Sequence, residues 1–406
     1  MNKRFEGKTL FYVQLKDTSD NPSLRYLPKS LLEHCMHIGM NVSTLEYKRV
    51  DNSDNSTLLA GSVQCTSKIL KRSSQKKTNF LVRYLYECWL VLRAAFHFKL
   101  WKSANVCLIY SFPCTFLHVW IAKVVYRKKA IYWVQDLWPY NGVTIGAIKQ
   151  GSFIFKVFAA LELYAYQKAD IVVTISEDIQ EKLIYLGISP AKIKVVHNWS
   201  SSDSDCIIEW DENRFATQFG LSQDIFYAVY AGNIGAAQNI DLIISAAKLL
   251  SHRLDIQFLI VGDGLALDSI KEQAVTFENV IFIPMQSLDV APHVYAAASV
   301  NIISLKKGMI FAALPSKTAM ALACGRPLIA CVDIDSRYAD ILRRYEVGQV
   351  VDPTDAQALA DAIVKQADME NSADLSERLK VCFNEQFSQR VAFENFNKVF
   401  DHIFKE

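Results

Sequence analysis

No CxxC pair, no HxxxH spacing and no internal repeat occur in this 406-residue chain. The first two absences remove the commonest sequence marks of a zinc site or a dithiol redox centre. Nine cysteines are present, odd in number and scattered, several of them inside apolar runs. They read as reduced, buried thiols of a cytosolic protein rather than as a disulfide framework. The N-terminal stretch MNKRFEGKTLFYVQLKD lacks an apolar core long enough for a signal peptide. Net charge is also nearly absent, at +2. That total hides an asymmetry: residues 1–200 hold 27 Lys+Arg against 14 Asp+Glu, and residues 201–406 hold 17 against 28. A basic half and an acidic half suggest two domains with different partners, the basic one facing an anionic surface.

Long apolar stretches are few, and each is interrupted. Residues 103–122 carry no charge, but Asn105, Ser111, Pro113 and Thr115 argue for a buried strand followed by a helix from about Cys114. Residues 79–101 are broken by Arg83, Glu87 and Arg93, which predicts one helix with an apolar face and a basic fringe. Such a helix either packs in the core or docks on a membrane surface.

What is present is an alternation of strands and helices, the pattern of parallel sheets covered on both faces. TLFYVQLK, NVSTLEY, VCLIY, AIYWVQD, DIVVTIS and IKVV read as strands of a first domain, 1–205. Residues 52–77 read as loop. The acidic, serine-rich stretch 200–220 marks a junction. The pattern restarts with FYAVYAGNIG and runs through DIQFLIVGDG, NVIFIPM, VNIISL, PLIACV and GQVVD, a second domain over 221–383. A Phe-rich helix over 384–406 is expected to cross back to the first domain. In doubly wound sheets, ligands bind at the carboxyl ends of the strands, in the cleft.

Three stretches fall at such strand ends. In YAGNIGAAQN, Gly232, Asn233, Gly235 and Gln238 offer close backbone approach. LIVGDG supplies Gly262, Asp263 and Gly264. In LPSKTAMALACGRPLIA a helix is expected over 316–324, with Pro315 at its entry and Ser316 or Thr318 as cap. A lysine there opposes the helix dipole unless an anion sits nearby, so Lys317 is placed to meet a phosphate. A solvated lysine at a helix end is the equal alternative on these residues alone. DSD at 203–205 and DID at 333–335 imitate a metal-binding DxD, but one lies in the junction and the other opens a helix. His118 reads as a core histidine, and His197 stands at a strand end. The NVS, NST and NWS glycosylation patterns carry nothing in a cytosolic chain. The basic KILKRSSQKK, 68–77, lacks interleaved aromatics, which argues against single-stranded nucleic acid.

Taken together, WVQDLWP (133–139), TISEDIQEKL (174–183), KIKVVHNW (192–199), YAGNIGAAQNIDLIISAAKLL (230–250), VGDG (261–264) and PSKTAMALACGRPLIA (315–330) resemble glycosyltransferase family 4. The likeness covers most of the chain. The combination of VQDLWP, GNIGAAQN and PSK is similar to a bacterial subgroup that builds O-antigen, capsule and exopolysaccharide. The resemblance implies a GT-B fold, two Rossmann-like domains across a cleft, and retaining transfer from a nucleotide sugar, with UDP the expected carrier and no metal or other cofactor. It places the donor on the second domain against Gly232, Asn233, Gly235, Gln238, Gly262, Asp263, Gly264, Ser316, Lys317 and Thr318. Lys317 would stabilise the leaving diphosphate. Gln135, Asp136 and Trp138 would face the acceptor, with Asp136 a candidate base. The acceptor would be a lipid-linked saccharide at the anionic inner face of the membrane, with no nucleic-acid partner. Exposed rings such as Phe96, Phe98 or Trp101 would add insertion there.

Departures from the family pattern are specific. Asn233 and Gln238 stand where an Arg and a Lys are usual, Ala312 and Met320 where two acids are usual, and Gln135 where a His is usual. Lys317 is left as the main cation, with Lys306, Lys307 and Arg326 in reserve. Two other classes stay open: a nucleotide-sugar epimerase or hydrolase on the same fold, and a catalytically degenerate, membrane-associated partner of a transferase.

Overall fold

The computed structural model describes residues 4–15, 22–49, 59, 65–72, 80–200, 206–369 and 373–405. Strands β1 Thr9–Gln14, β2 Asn41–Arg49, β3 Cys65–Arg72, β4 Val106–Tyr110, β5 Lys129–Val134, β6 Ile171–Thr174 and β7 Ile193–Val195 form one sheet. Its order is β3-β2-β1-β4-β5-β6-β7, and every pairing is parallel. The second sheet contains β8 Phe226–Ala231, β9 Ile256–Val261, β10 Val280–Ile283, β11 Val300–Ser304, β12 Leu328–Cys331 and β13 Gly348–Val351. Its order is β10-β9-β8-β11-β12-β13, again wholly parallel. Helices on both faces explain why β4, β11 and β12 are buried at every residue and read as unbroken apolar runs.

Each sheet has a switch point, where connections leave a central strand in opposite directions. It lies between β1 and β4 in the first sheet and between β8 and β11 in the second. The loops beyond these strands have no helix above them, so a crevice opens there. The two crevices meet. Asp136 and Ala313 form an antiparallel bridge across the cleft, and Leu137 N donates to Ala312 O at 2.8 Å.

The helix Gln389–Lys405 packs on the first sheet. Its Ala392, Phe396, Val399, Phe400 and Ile403 join the buried cluster that holds Tyr12, Trp133 and Trp199. The Phe396 ring meets Trp133 edge-on at 5.2 Å, Lys129 Nζ reaches Ile403 O at 2.8 Å, and Arg4 pairs with Asp401.

Several local expectations are corrected. The supposed loop over 52–77 contains β3, which pairs with β2 along eight residues from Val42↔Cys65 to Arg49↔Arg72. The helix expected over 79–101 is two helices, Phe80–Ala94 and Phe98–Ser103, parted by a turn at 95–97. That turn tucks Trp101 inward, where its Nε1 donates to Ala94 O at 2.8 Å and its ring stacks on Tyr126. Trp101 is therefore core, not an exposed ring. The last helix is interrupted at Ser388, after a π turn over Phe383–Phe387. A helix over Ala373–Cys382 stands where none was expected. The junction motif at 203–205, the NST at 55–57 and residues 73–77 lie outside the described residues. Among the described residues no helix is long and apolar enough to cross a membrane.

Candidate active site

At the end of β8 the chain enters a glycine-rich loop. Gly232 has φ +133°, a conformation that favours glycine. A Cβ there would lie 2.5 Å from Lys317 Cε, so the bare backbone is what lets the lysine through. Lys317 Nζ rests 3.6 Å from the centroid of the Tyr230 ring, a cation–π contact. The Tyr230 hydroxyl donates to Asn233 O at 2.6 Å, which ties the ring to the loop. Asn233 Nδ2 donates to Gln238 Oε1 at 3.2 Å, so these two amides brace one another across the turn. Burial, with no carboxylate offsetting it, pushes the Lys317 amine down to about 7. A lysine kept in so poor a place for its charge is a ready partner for an incoming anion.

Other predicted donor residues occupy different places. Gly262 and Gly264 sit where two loops press together. A Cβ on Gly262 would lie 1.9 Å from Gly232 O, and one on Gly264 would lie 2.2 Å from Ile234 O. They exist so that the β9 loop can press against the β8 loop, with Ile234 N donating to Asp263 O at 2.8 Å. The exposed Asp263 carboxylate accepts from Gly264 N. Thr318 is buried and its hydroxyl is held by Tyr338 Oη at 2.7 Å, so its side chain is not the helix cap. Ser316 is exposed, with no capping bond from its side chain. The helix it precedes, Lys317–Ala323, is only seven residues long, so its dipole contributes little.

The reserve cations are dispersed. Lys307 lies 3.8 Å from Asp352. Lys306 N donates to Ala237 O at 2.9 Å, which joins its loop to the glycine-rich one. Arg326 is half-buried on a separate cavity of about 480 Å³ with Glu209 and Trp210. In the DID stretch, Asp333 accepts from Gly308 N at 2.7 Å and so shapes that loop.

Opposite the lysine, the first sheet presents a cavity of about 370 Å³. Gln135, Asp136 and Trp138 line it, as do Tyr110, Ser111, Asn141, Glu162 and Asn198, while Leu314 and Ser316 close it from the second half. Ser111 Oγ accepts from Gln135 N at 2.8 Å, and Asn198 Nδ2 donates to Gln135 Oε1 at 2.8 Å. Asp136 is exposed at the rim, and its charge helps to raise the Tyr110 phenol above its usual range, after burial. Glu162 is buried, accepts from Tyr132 Oη at 2.9 Å, and is pushed up to about 8 by desolvation.

Glu162, Asn141 and Asn198 were not anticipated from sequence. Asn198 follows the histidine that drew attention, and that histidine has no capacity to spare. His197 pairs through Nε2 with Glu177 Oε2 at 2.9 Å and through Nδ1 with Gln386 O at 3.1 Å. His118 is buried, its Nε2 3.1 Å from Tyr47 Oη, while its Nδ1 has no partner. Desolvation takes it down to about 3, so it is a neutral core residue.

Two parallel Rossmann-like sheets whose switch points face one another define a GT-B fold. Residues 226–368 match the family described as Glycosyl transferases group 1. It is 24% identical to a protein of Pseudomonas aeruginosa named "Probable glycosyltransferase WbjE" over 66% of this chain and 67% of that one. It is 25% identical to WcaI of Escherichia coli (strain K12), which carries a colanic acid biosynthesis name, over 55% of each chain. The match thus spans about half the length of WcaI. Anabaena HepE, solved in complex with UDP and glucose, superposes with a TM-score of 0.72 at 13% identity over 97% of this chain and 100% of that one.

Proposed function

We propose that this protein transfers a sugar, with retention, from a nucleotide sugar to a saccharide acceptor in bacterial surface-polysaccharide assembly. UDP is the carrier in this reading, and a lipid-linked saccharide is the acceptor. The observation that carries it is Lys317, half-buried against Tyr230 and admitted by Gly232 at the mouth of the cleft. The UDP held by HepE and the polysaccharide name of WcaI support the same reading.

The diphosphate would lie between Lys317 and the Asn233–Gly235 backbone. As the bond from the anomeric carbon to the diphosphate oxygen breaks, negative charge gathers on that oxygen. A preorganised ammonium and nearby amides stabilise it without reorganising. The acceptor hydroxyl attacks the anomeric carbon from the same face. Its proton passes to a phosphate oxygen or to Asp136, which stands at the rim where the two halves touch.

A membrane-bound acceptor is supported by the surface of the first half. The helices Phe80–Ala94, Phe116–Trp120 and Phe153–Lys168 pack side by side. They leave Leu85, Trp89, Trp120, Phe153 and Val157 exposed, and the turn after the first adds Phe96, 72% exposed. Arg93 lies over the Trp89 ring at 4.9 Å, and Lys99, Lys102 and Lys156 are exposed nearby in sequence. Apolar rings within a basic fringe suit an anionic leaflet.

The degenerate-partner reading draws on Ala312, buried and apolar, and on Met320, whose sulfur accepts from Ser200 Oγ, where the resemblance leads one to expect acids. Calorimetric titration with UDP decides the donor assignment. The wild type should bind, and Lys317→Ala should lose roughly 1.5–3 kcal/mol, the scale of a charge-assisted hydrogen bond. Equal affinity in the two proteins overturns it. No UDP binding in the wild type favours the degenerate partner.

A further inference from the structure

We propose that the cavity behind Asp136 is a subsite for an uncharged sugar ring of the acceptor, and that it excludes uronates and phosphorylated sugars. The inference rests on the transferase reading above and names the acceptor's chemical class.

Gln135 Nε2, Asn141 Oδ1 and Asn198 Oδ1, buried polar atoms on its lining residues, have no hydrogen-bond partner among the described residues. Asn198 is only 8% exposed. Orphaned polar atoms are rare in native proteins, so these three call for a polar partner, a ligand hydroxyl or a water, inside the cavity. Gln135 and Asn198 are clamped to one another by a single amide hydrogen bond of 2.8 Å. That bond leaves one donor and one acceptor side by side. Turning both amides over leaves the same pair, so the pattern survives any choice of amide orientation. A hydroxyl, both donor and acceptor, is its complement.

A carboxylate or phosphate offers acceptors only. It would satisfy the donor of the Gln135–Asn198 pair but set its oxygens against the acceptor beside it. It would also meet the Asp136 carboxylate, and among the described residues no Lys, Arg or His lines the cavity. Glu162, held by the Tyr132 hydroxyl, is kept in its neutral acid form near pH 7 by its burial, so it adds a hydrogen-bonding group without a cation to balance. The rings of Tyr110, Phe112 and Trp138 supply flat apolar surface for the C–H faces of a pyranose. A volume of about 370 Å³ falls within the usual range of small-ligand sites. Ser316, the neighbour of Lys317, closes the cavity from the second half, so a ring seated there lies next to the donor cradle.

The test titrates the full chain, saturated with UDP, with methyl glycosides followed by saturation-transfer NMR. The neutral probes are methyl glucoside, galactoside, mannoside and N-acetylglucosaminide. The charged probes are the methyl glycosides of glucuronate and galacturonate, with glucose 6-phosphate. At least one neutral glycoside should bind, and the charged probes should bind at least about tenfold more weakly. Asn198→Ala and Asn141→Ala, each checked for an unchanged melting profile, should weaken the neutral ligand about tenfold or more while UDP binding holds. A charged probe that binds as well as its neutral counterpart overturns the proposal. So does the absence of binding by every neutral glycoside, or unchanged affinity in both variants. UDP binding, read in the same samples, reports on the donor assignment alone, so a failed subsite and a failed transferase reading give different results.

Discussion

Lys317 is the residue whose surroundings most constrain its chemistry. Its free amine sits at about 7 because burial disfavours the charged form, and an anion beside it would restore that charge. Binding UDP above pH 7 must therefore take up a proton. The sign follows: affinity is greatest where the amine is already protonated and falls as pH rises through the free value. Between pH 7 and 9, above the phosphate's own titration near about 6, wild-type affinity should drop about tenfold or more. The slope should vanish in Lys317→Ala. Calorimetry across that range checks it, and a flat wild-type profile would separate the amine from the phosphate. The position of this lysine was legible in sequence, since PSK opens a helix after a strand. Its partners were not. Tyr230 and Gly232 lie more than eighty residues earlier, and only the meeting of two loops brings them together. Thr318 shows the opposite error: a good capping residue by type, it faces inward to Tyr338.

At the scale of elements, the two glycine loops have different tasks. Gly262 is closed off by backbone, with Gly232 O 1.9 Å from where its Cβ would be. Gly235 faces the movable end of Asn233, whose Nδ2 lies 2.6 Å away. Gly262→Ala should therefore cost about 3 kcal/mol or more of stability, while Gly235→Ala should stay within about 1 kcal/mol. Thermal denaturation of both variants measures the contrast, and equal melting temperatures would refute the crossed-loop account. The alternation of apolar runs and helical segments was enough to read most strands, because buried parallel strands are nearly all apolar. β3 escaped because it is an edge strand. CTSKILKR is mostly polar on its open side, and it pairs with β2 alone. The break after Ala94 escaped because nothing in the local sequence stops that helix. What stops it is the burial of Trp101 beneath Tyr126 and Phe11.

Across the whole molecule, the charge asymmetry and the exposed rings lie on the same half. Full-length protein should sediment with anionic vesicles, much less with neutral ones, and should release as salt shortens the Debye length from ~10 Å at 0.1 M. Replacing Trp89 and Phe96 by Ser should weaken attachment even at low salt. Equal partition between neutral and anionic vesicles would remove the electrostatic part. Sequence gave access to the two-sheet plan and to the charge split, but not to which rings face outward. Phe96 and Trp101 are five residues apart, yet one is 72% exposed and the other buried. The acceptor cavity was half visible. Gln135, Asp136 and Trp138 belong to one motif, whereas Asn141 and Glu162 reach it from two helices and Asn198 from the loop after β7.

The return of the last helix to the first sheet means that the chain passes between the halves twice. Those two passages are fastened to one another, for Ser200 N donates to Phe387 O at 3.3 Å, and His197 is stacked on the Phe387 ring. Two joints bound together act as a single pivot. The halves are also tied at Asp178, which accepts from Arg337 N at 2.8 Å and from Tyr338 N at 3.0 Å. Any opening of the gap between Lys317 and the cavity behind Asp136 would therefore turn about Phe387 and break both the Asp178 contacts and the Asp136–Ala313 bridge.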